Sequence, residues 1–219
     1  LTWGAARTDR LARRLALPAL LALLLTGTAL AVWDVRGAFA LIGFALSAWL
    51  GVASLVILWG RAPWRTPRAT WGMVLAHLGV AITLFGITAS GALTRELLVN
   101  LRVGESASVA GYAMKLVSVA PVAGANWTAL EATLEVTRGG KPVTVLRPQA
   151  RLYTAPMMDT TEAAIHTRLS GDLYAVLGKP DGSGRWQLHV WWKPFVIWIW
   201  GGGLIMALGG ALSMTARAM

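Results

Sequence analysis

The chain has 219 residues, 56% of them hydrophobic, no cysteine and a formal net charge of +10. A mean hydropathy of +0.57 lies outside the range of an ordinary soluble domain and of a disordered chain. Without cysteine there are no disulfides, thiolate metal sites, iron–sulfur clusters or thiol redox chemistry, so His, Met and carboxylates are the candidate ligands.

Four apolar runs have the length of about 20 residues that crosses a bilayer. They are Leu15–Trp33, Ala38–Trp59, Trp71–Gly91 and Phe195–Thr215. They are too many and too well spaced for a signal peptide. The chain opens on Leu1 rather than Met, as a fragment of a longer protein would. Arg7, Arg10, Arg13 and Arg14 precede the first run, Arg61, Arg65 and Arg68 separate the second from the third, and Arg217 follows the fourth. The turn between the first two holds only Asp34 and Arg36. Short Arg-rich loops stay in the cytoplasm. Both termini and the 61–68 loop are therefore expected there. Topology thus accounts for most of the positive charge, and no nucleic-acid partner is expected.

The expected organisation is three transmembrane helices within 1–92 (15–33, 38–59 and 71–91), a soluble domain over 93–194, and a fourth helix with a short cytoplasmic tail over 195–219. The soluble part reads as β. Ala113–Val122 alternates and stops near a proline. Thr128–Thr137 and Lys141–Tyr153 flank Arg138-Gly139-Gly140, a hairpin signal. Asp172–Gly178 and Arg185–Trp192 flank the turn residues Pro180–Gly184. Between these hairpins, Ala155–Gly171 has no clear pattern. It reads as a connection, with one short helical turn around Glu162–Ile165 capped by Thr160 or Thr161. The expected fold is a polytopic α-helical membrane protein with a periplasmic antiparallel β domain, a small barrel or sandwich, inserted between the third and fourth helices.

Trp33, Trp59, Trp71, Trp198 and Trp200 lie near helix ends, where amphipathic rings prefer the membrane border. Trp191-Trp192-Lys193-Pro194-Phe195 reads as a rigid junction between strand and helix, with a platform for a flat ligand as the alternative.

His77 is the one histidine in an apolar run. At about 1.5 Å per residue it lies roughly 9 Å from Trp71, in the half nearer the cytoplasm. An ionisable group at that depth is costly unless partnered. Three roles stay open on chemistry alone: axial ligation of heme iron, proton relay, or a structural hydrogen bond to a neighbouring helix. Gly72, Ala76, Gly79, Thr83, Gly86 and Ser90 form a small-residue stripe that admits either a close helix or a planar ligand. His166 and His189 share no metal-binding spacing and read as structural. Met157 and Met158 are iron-ligand candidates that more often fill a core. No Ser–His–Asp set, phosphate loop or paired-carboxylate pattern stands out.

WGMVLAHLGVAI (71–82), GKPVTVLRPQARLY (140–153), MMDTTEAAI (157–165), DLYAVLG (172–178) and WWKPFVIWIWGGGLIMALGG (191–210) occur in this order. Together they resemble the C-terminal part of the CcmF family of cytochrome c-type biogenesis proteins, over about Thr70 to Ser213. The two helices before Thr70 fit that family by topology more than by motif. The resemblance implies a heme lyase subunit of the heme-handling superfamily, a multi-pass protein of the bacterial inner membrane. As a holocytochrome c synthase it would attach heme covalently to apocytochrome c through two thioether bonds. Heme, the transferred substrate, would arrive on the chaperone CcmE. CcmH, with CcmI where present, would present the apocytochrome. The family also holds a heme b between histidines of two membrane helices, with quinol as its proposed electron donor. The family's histidine in WGM-x-x-x-H-x-G falls on His77, which is thereby implied as an axial iron ligand and the cofactor-binding residue.

Departures from the family pattern are equally clear. The tryptophan-rich WWD segment is missing, and the lone Trp33-Asp34 is no substitute for it. The outer-face histidines flanking that segment and the second membrane histidine are missing too. The sequence therefore reads as a fragment of a CcmF, or one piece of a split one, whose N-terminal part is a required partner. It is not expected to form thioether bonds alone, and no catalytic residue is assigned. TEAAI is characteristic of the family but carries no assigned mechanism for Thr161 or Glu162. The competing readings are a noncatalytic docking module of the maturation complex with a structural His77, and a membrane-anchored outer-face binding domain unrelated to heme.

Overall fold

A computed structural model describes residues 8–33, 35, 37–60 and 62–215, with side chains from Leu15 onward. Arg7, Asp34, Arg36, Arg61 and Arg217 lie outside the described residues, as do the side chains of Arg10, Arg13 and Arg14. The chain divides into two compact units. One combines residues up to Leu93 with those from Phe195 onward, and the other runs from Thr94 to Pro194.

The first unit is helical: α1 (Thr8–Trp33), α2 (Ala38–Val56), α3 (Arg68–Leu93) and α4 (Val196–Thr215), with a single 3-10 turn at Pro63–Arg65 before α3. All four α-helices are long and apolar enough to cross a membrane. Several boundaries differ from the expectation, α1 beginning at Thr8 rather than Leu15 and α3 ending at Leu93 rather than Gly91. α2 stops at Val56, and Ile57–Gly60 form a turn with Gly60 at φ 73°. α3 begins at Arg68, three residues before Trp71, where Pro67 blocks earlier extension of the helix.

The small-residue stripe of α3 decides the packing of this unit. A Cβ added at Gly79 would meet the Met206 amide nitrogen at 2.5 Å and the Gly202 carbonyl oxygen at 2.6 Å. One added at Gly72 would meet the Gly209 carbonyl oxygen at 2.6 Å. Thr83 Oγ1 donates across the gap to the Ile199 carbonyl oxygen at 3.3 Å. α3 and α4 thus touch backbone to backbone, as small residues permit in membrane helices. Of the two neighbours the stripe admits, a helix occupies it: α4. Trp33, Phe44, Phe85, Phe195 and Trp198 form a ring cluster near one end of the helices, with centroids 5.3 to 6.1 Å apart.

The second unit has two antiparallel sheets. One orders β1 (Arg95–Leu101), β10 (Trp186–Pro194), β9 (Gly171–Pro180) and β8 (Ala164–His166). The other orders β2 (Ser106–Val109), β3 (Tyr112–Ala123), β4 (Trp127–Arg138), β6 (Gln149–Thr154) and β7 (Met157–Glu162), with β5 (Lys141–Leu146) also on β4. Alternation along β4 buries Ala132, Leu134 and Val136. They pack with Leu116, Leu173, Leu177, Leu188 and Val190 into one core.

Three expectations need correction. Lys141–Tyr153 is two strands rather than one. Pro148 has no N–H to give a ladder, so the chain breaks at Arg147-Pro148, and both halves pair with β4. Ala155–Gly171 is neither a plain connection nor the site of a helical turn: it contains β7 and β8. Strand β7 is an edge exposed on both faces, so no apolar alternation marks it. Strands β1 and β2 also went unread, although they alternate and place Leu101 and Val109 in the core.

Candidate functional site

Helix α3 carries His77 at its i+4 position from Met73, and the consequence is direct. Its Nδ1 lies 2.8 Å from the Met73 carbonyl oxygen. A carbonyl can only accept, so Nδ1 donates; in the neutral ring this leaves Nε2 as the acceptor, the form that ligates a metal. His77 is exposed in the chain, on a helix face shared with Met73, Val80 and Ile87, 38%, 40% and 53% exposed. Residues 73, 77, 80, 84 and 87 recur at helical spacing, so they form one continuous stripe. The face is apolar except for this one imidazole. It lies away from the α4 contact made by Gly72, Gly79 and Gly86.

A heme would be held here from one side only. The ring could offer Nε2 to iron, because its Nδ1 faces a carbonyl, the usual second interaction of a ligating histidine. His166 and His189 both belong to the β unit, so His77 is the histidine of the helical unit. Among the described residues, no three His, Asp or Glu side chains gather to hold a bare metal ion.

An apolar cavity of about 390 Å³ lies among the helices, lined by residues including Thr26, Trp33, Phe44, Ser47, Phe85 and Trp198. His77 is not among its walls. The Thr26 and Ser47 hydroxyls donate to carbonyls of their own helices, so the cavity offers little polar chemistry.

In the β unit, His166 Nε2 accepts from Arg168 Nε at 2.9 Å. His189 pairs through Nε2 with Glu96 Oε1 and stacks on Trp191, ring centroids 3.5 Å apart. The pair joins residues far apart in sequence through the β1–β10 ladder, which places Leu98 opposite His189 and Glu96 opposite Trp191. Both histidines have local partners, in keeping with structural roles. Met157 and Met158 are 82% and 53% exposed, so neither fills a core.

Missed at first reading is the polar cluster around Asp172. This carboxyl is 4% exposed. Its Oδ2 accepts from the Tyr174 hydroxyl at 3.5 Å, and Oδ1 has no partner among the described residues. Burial, then the Asp172 charge and hydrogen bond, hold the Tyr174 hydroxyl above its ordinary pKa. The Lys193 ammonium sits 4.8 Å from the Tyr174 ring centroid, opposite Asp172 in the ladder. The signal available in sequence was an Asp next to alternating core residues.

Comparison with known proteins agrees with this architecture. Residues 92–194 match the family model described as the CcmF C-terminal beta-sandwich. The cytochrome c-type biogenesis protein ccl1 of Rhodobacter capsulatus is 42% identical over 228 residues, covering 98% of this chain and 34% of that protein. CcmF of Escherichia coli is 40% identical over 183 residues, covering 81% of this chain and 28% of its own length. A solved structure of the cytochrome c heme lyase CcmF superposes with a TM-score of 0.69 at 22% identity, over 97% of this chain and 35% of that one. The chain thus spans about one third of the length of these relatives. Its β unit belongs to the CcmF C-terminal β-sandwich family, and the chain as a whole corresponds to the C-terminal part of a CcmF-type cytochrome c biogenesis protein.

Proposed function

We propose that this chain is the C-terminal part of a cytochrome c heme lyase, and that His77 supplies one axial ligand to a heme b held between this chain and the rest of the protein. The observation that carries the proposal is the His77 geometry: Nδ1 donates to the Met73 carbonyl, and the ring lies on an otherwise apolar, unpartnered helix face. Bound there, heme would supply one-electron redox chemistry. The chain's own part is to fix the imidazole tautomer and to keep the site in an apolar setting. Quinol is the proposed electron source.

The arginine pattern supports an inner-membrane topology with cytoplasmic termini and a periplasmic β unit. On that side the unit would meet CcmE, CcmH with CcmI, and apocytochrome c. Thioether formation would need the N-terminal part.

The test is reduced-minus-oxidised absorption of the chain purified together with its N-terminal part, wild type against His77→Ala. A b-type signal lost or destabilised in the variant supports axial ligation. An unchanged spectrum returns His77 to helix packing and leaves a docking module of the maturation complex.

A further inference from the structure

Helix α4 turns only some of its glycines to α3. A Cβ added at Gly209 would meet the Ala76 amide nitrogen at 2.4 Å and the Gly72 carbonyl oxygen at 2.7 Å. One added at Gly202 would meet Thr83 Oγ1 at 2.4 Å and the Gly79 carbonyl oxygen at 2.6 Å. Gly201, Gly203 and Gly210 have nothing within 4 Å of the same added atom. Gly202 and Gly209 therefore seat α4 on main chain, which cannot swing aside as a side chain would.

Gly209 lies at the level of His77, because the nitrogen it approaches belongs to the residue just before that histidine. The two contacts are about 10 Å apart along the helix at about 1.5 Å per residue. With the 3.3 Å hydrogen bond from Thr83 to the Ile199 carbonyl, they oppose both turning and sliding of α3. On another face of α3, Thr88 packs on Gly43 of α2, where its Oγ1 would lie 2.3 Å from an added Cβ. His77 occupies the open side, about 140° around α3 from Gly72 at about 100° per residue.

Resting on the axial-ligand reading, we propose that Gly209 and Gly202, with Thr83, are positioning residues for the heme: the backbone seating of α4 sets the rotation of α3, and with it where His77 Nε2 points. A group at the side-chain radius of about 5–6 Å moves about 2 Å when its helix turns by about 20°. A ligating side chain has to be held within about 0.5 Å of its productive place. Ordinary contact begins at 3.4 Å, so a methyl group at position 209 lacks about 1 Å of room. α3 must then yield at the level of its own histidine.

The test compares Gly209→Ala with Gly210→Ala in the chain assembled with its N-terminal part. Each is made with His77 present, and again in His77→Ala with added imidazole. With His77 present, Gly209→Ala should weaken heme retention about tenfold and shift the largest g value of the oxidised heme. Gly210→Ala should change neither. Free imidazole is carried by no helix, so in that background the two variants should behave alike. An equal effect of Gly209→Ala in both backgrounds is a general disturbance of the fold and overturns the proposal. So does no effect in either. Should Gly209→Ala fail to assemble, Thr83→Val takes its place, keeping the shape while losing the bond to Ile199, and Thr83→Ser should restore the wild-type signal. A Thr83→Val heme identical to wild type then overturns the proposal.

The heme reading is judged separately, by a wild-type heme signal that survives His77→Ala without imidazole. Rotation is also read without heme, from a nitroxide at Val80→Cys, on the His77 face of a chain otherwise free of cysteine. Gly209→Ala should change its accessibility to dissolved oxygen, and an unchanged value overturns the positioning role.

Discussion

His77 Nδ1 and the Met73 carbonyl oxygen, one helical turn apart and 2.8 Å from each other, fix the tautomer of the single imidazole in the apolar helices. This leaves Nε2 as the acceptor on an apolar face. If iron occupies that acceptor, His77→Ala in the assembled protein should lower heme occupancy by about tenfold or more, and added imidazole should restore it. Visible absorbance per protein, with and without imidazole, measures this. A structural histidine would show neither loss nor rescue.

Close contact between α3 and α4 makes its glycines hard to replace. Gly79→Val forces a side chain against the Met206 amide nitrogen and Gly202 carbonyl oxygen, 2.5 and 2.6 Å from the first added carbon. The expected cost is about 1–3 kcal/mol, read as a lower unfolding temperature in detergent. Gly210→Ala meets nothing within 4 Å and should leave that temperature unchanged or slightly raised.

Leu134 is fully buried in the sandwich, at the level of Leu116 across the β3–β4 ladder. Leu134→Ala should destabilise the β unit by about 2–5 kcal/mol. On β5, Val145 is 49% exposed, and Val145→Ala should cost about 0.5 kcal/mol or less. Denaturant titration followed by tryptophan fluorescence separates the two.

Alkaline stability should depend on Tyr174. Burial and the Asp172 carboxylate raise its folded pKa above the ordinary value of 10.0. Below pH 10 both folded and unfolded states keep the proton, and the contribution is complete. Above it the unfolded chain ionises first and binds fewer protons than the folded one, so stability falls as pH rises toward the folded value. Tyr174→Phe should remove this component and flatten the stability curve above pH 10. An identical slope in the variant would contradict the assignment.

Each apolar run is long and apolar enough to cross a bilayer, so the four helices were legible in sequence. Hairpins flanking Arg138-Gly139-Gly140 and Pro180–Gly184 were legible because φ-permissive residues punctuate alternating strands. β7 was not: an edge strand exposed on both faces leaves no burial period to read. The Glu96–His189 pair was invisible for a different reason. It depends on β1 lying beside β10, across a register set by the whole sheet.

Sequence alone determined the number and apolar character of the helices, the β nature of the second unit and the presence of one imidazole within an apolar helix. Those properties follow from composition and local period. Tertiary structure decided what the small residues of α3 are for, because only packing distinguishes a helix from a ligand as the neighbour of a glycine stripe. It also turned His77 onto the opposite, open side of α3. Both outcomes depend on which surfaces the other elements happen to cover.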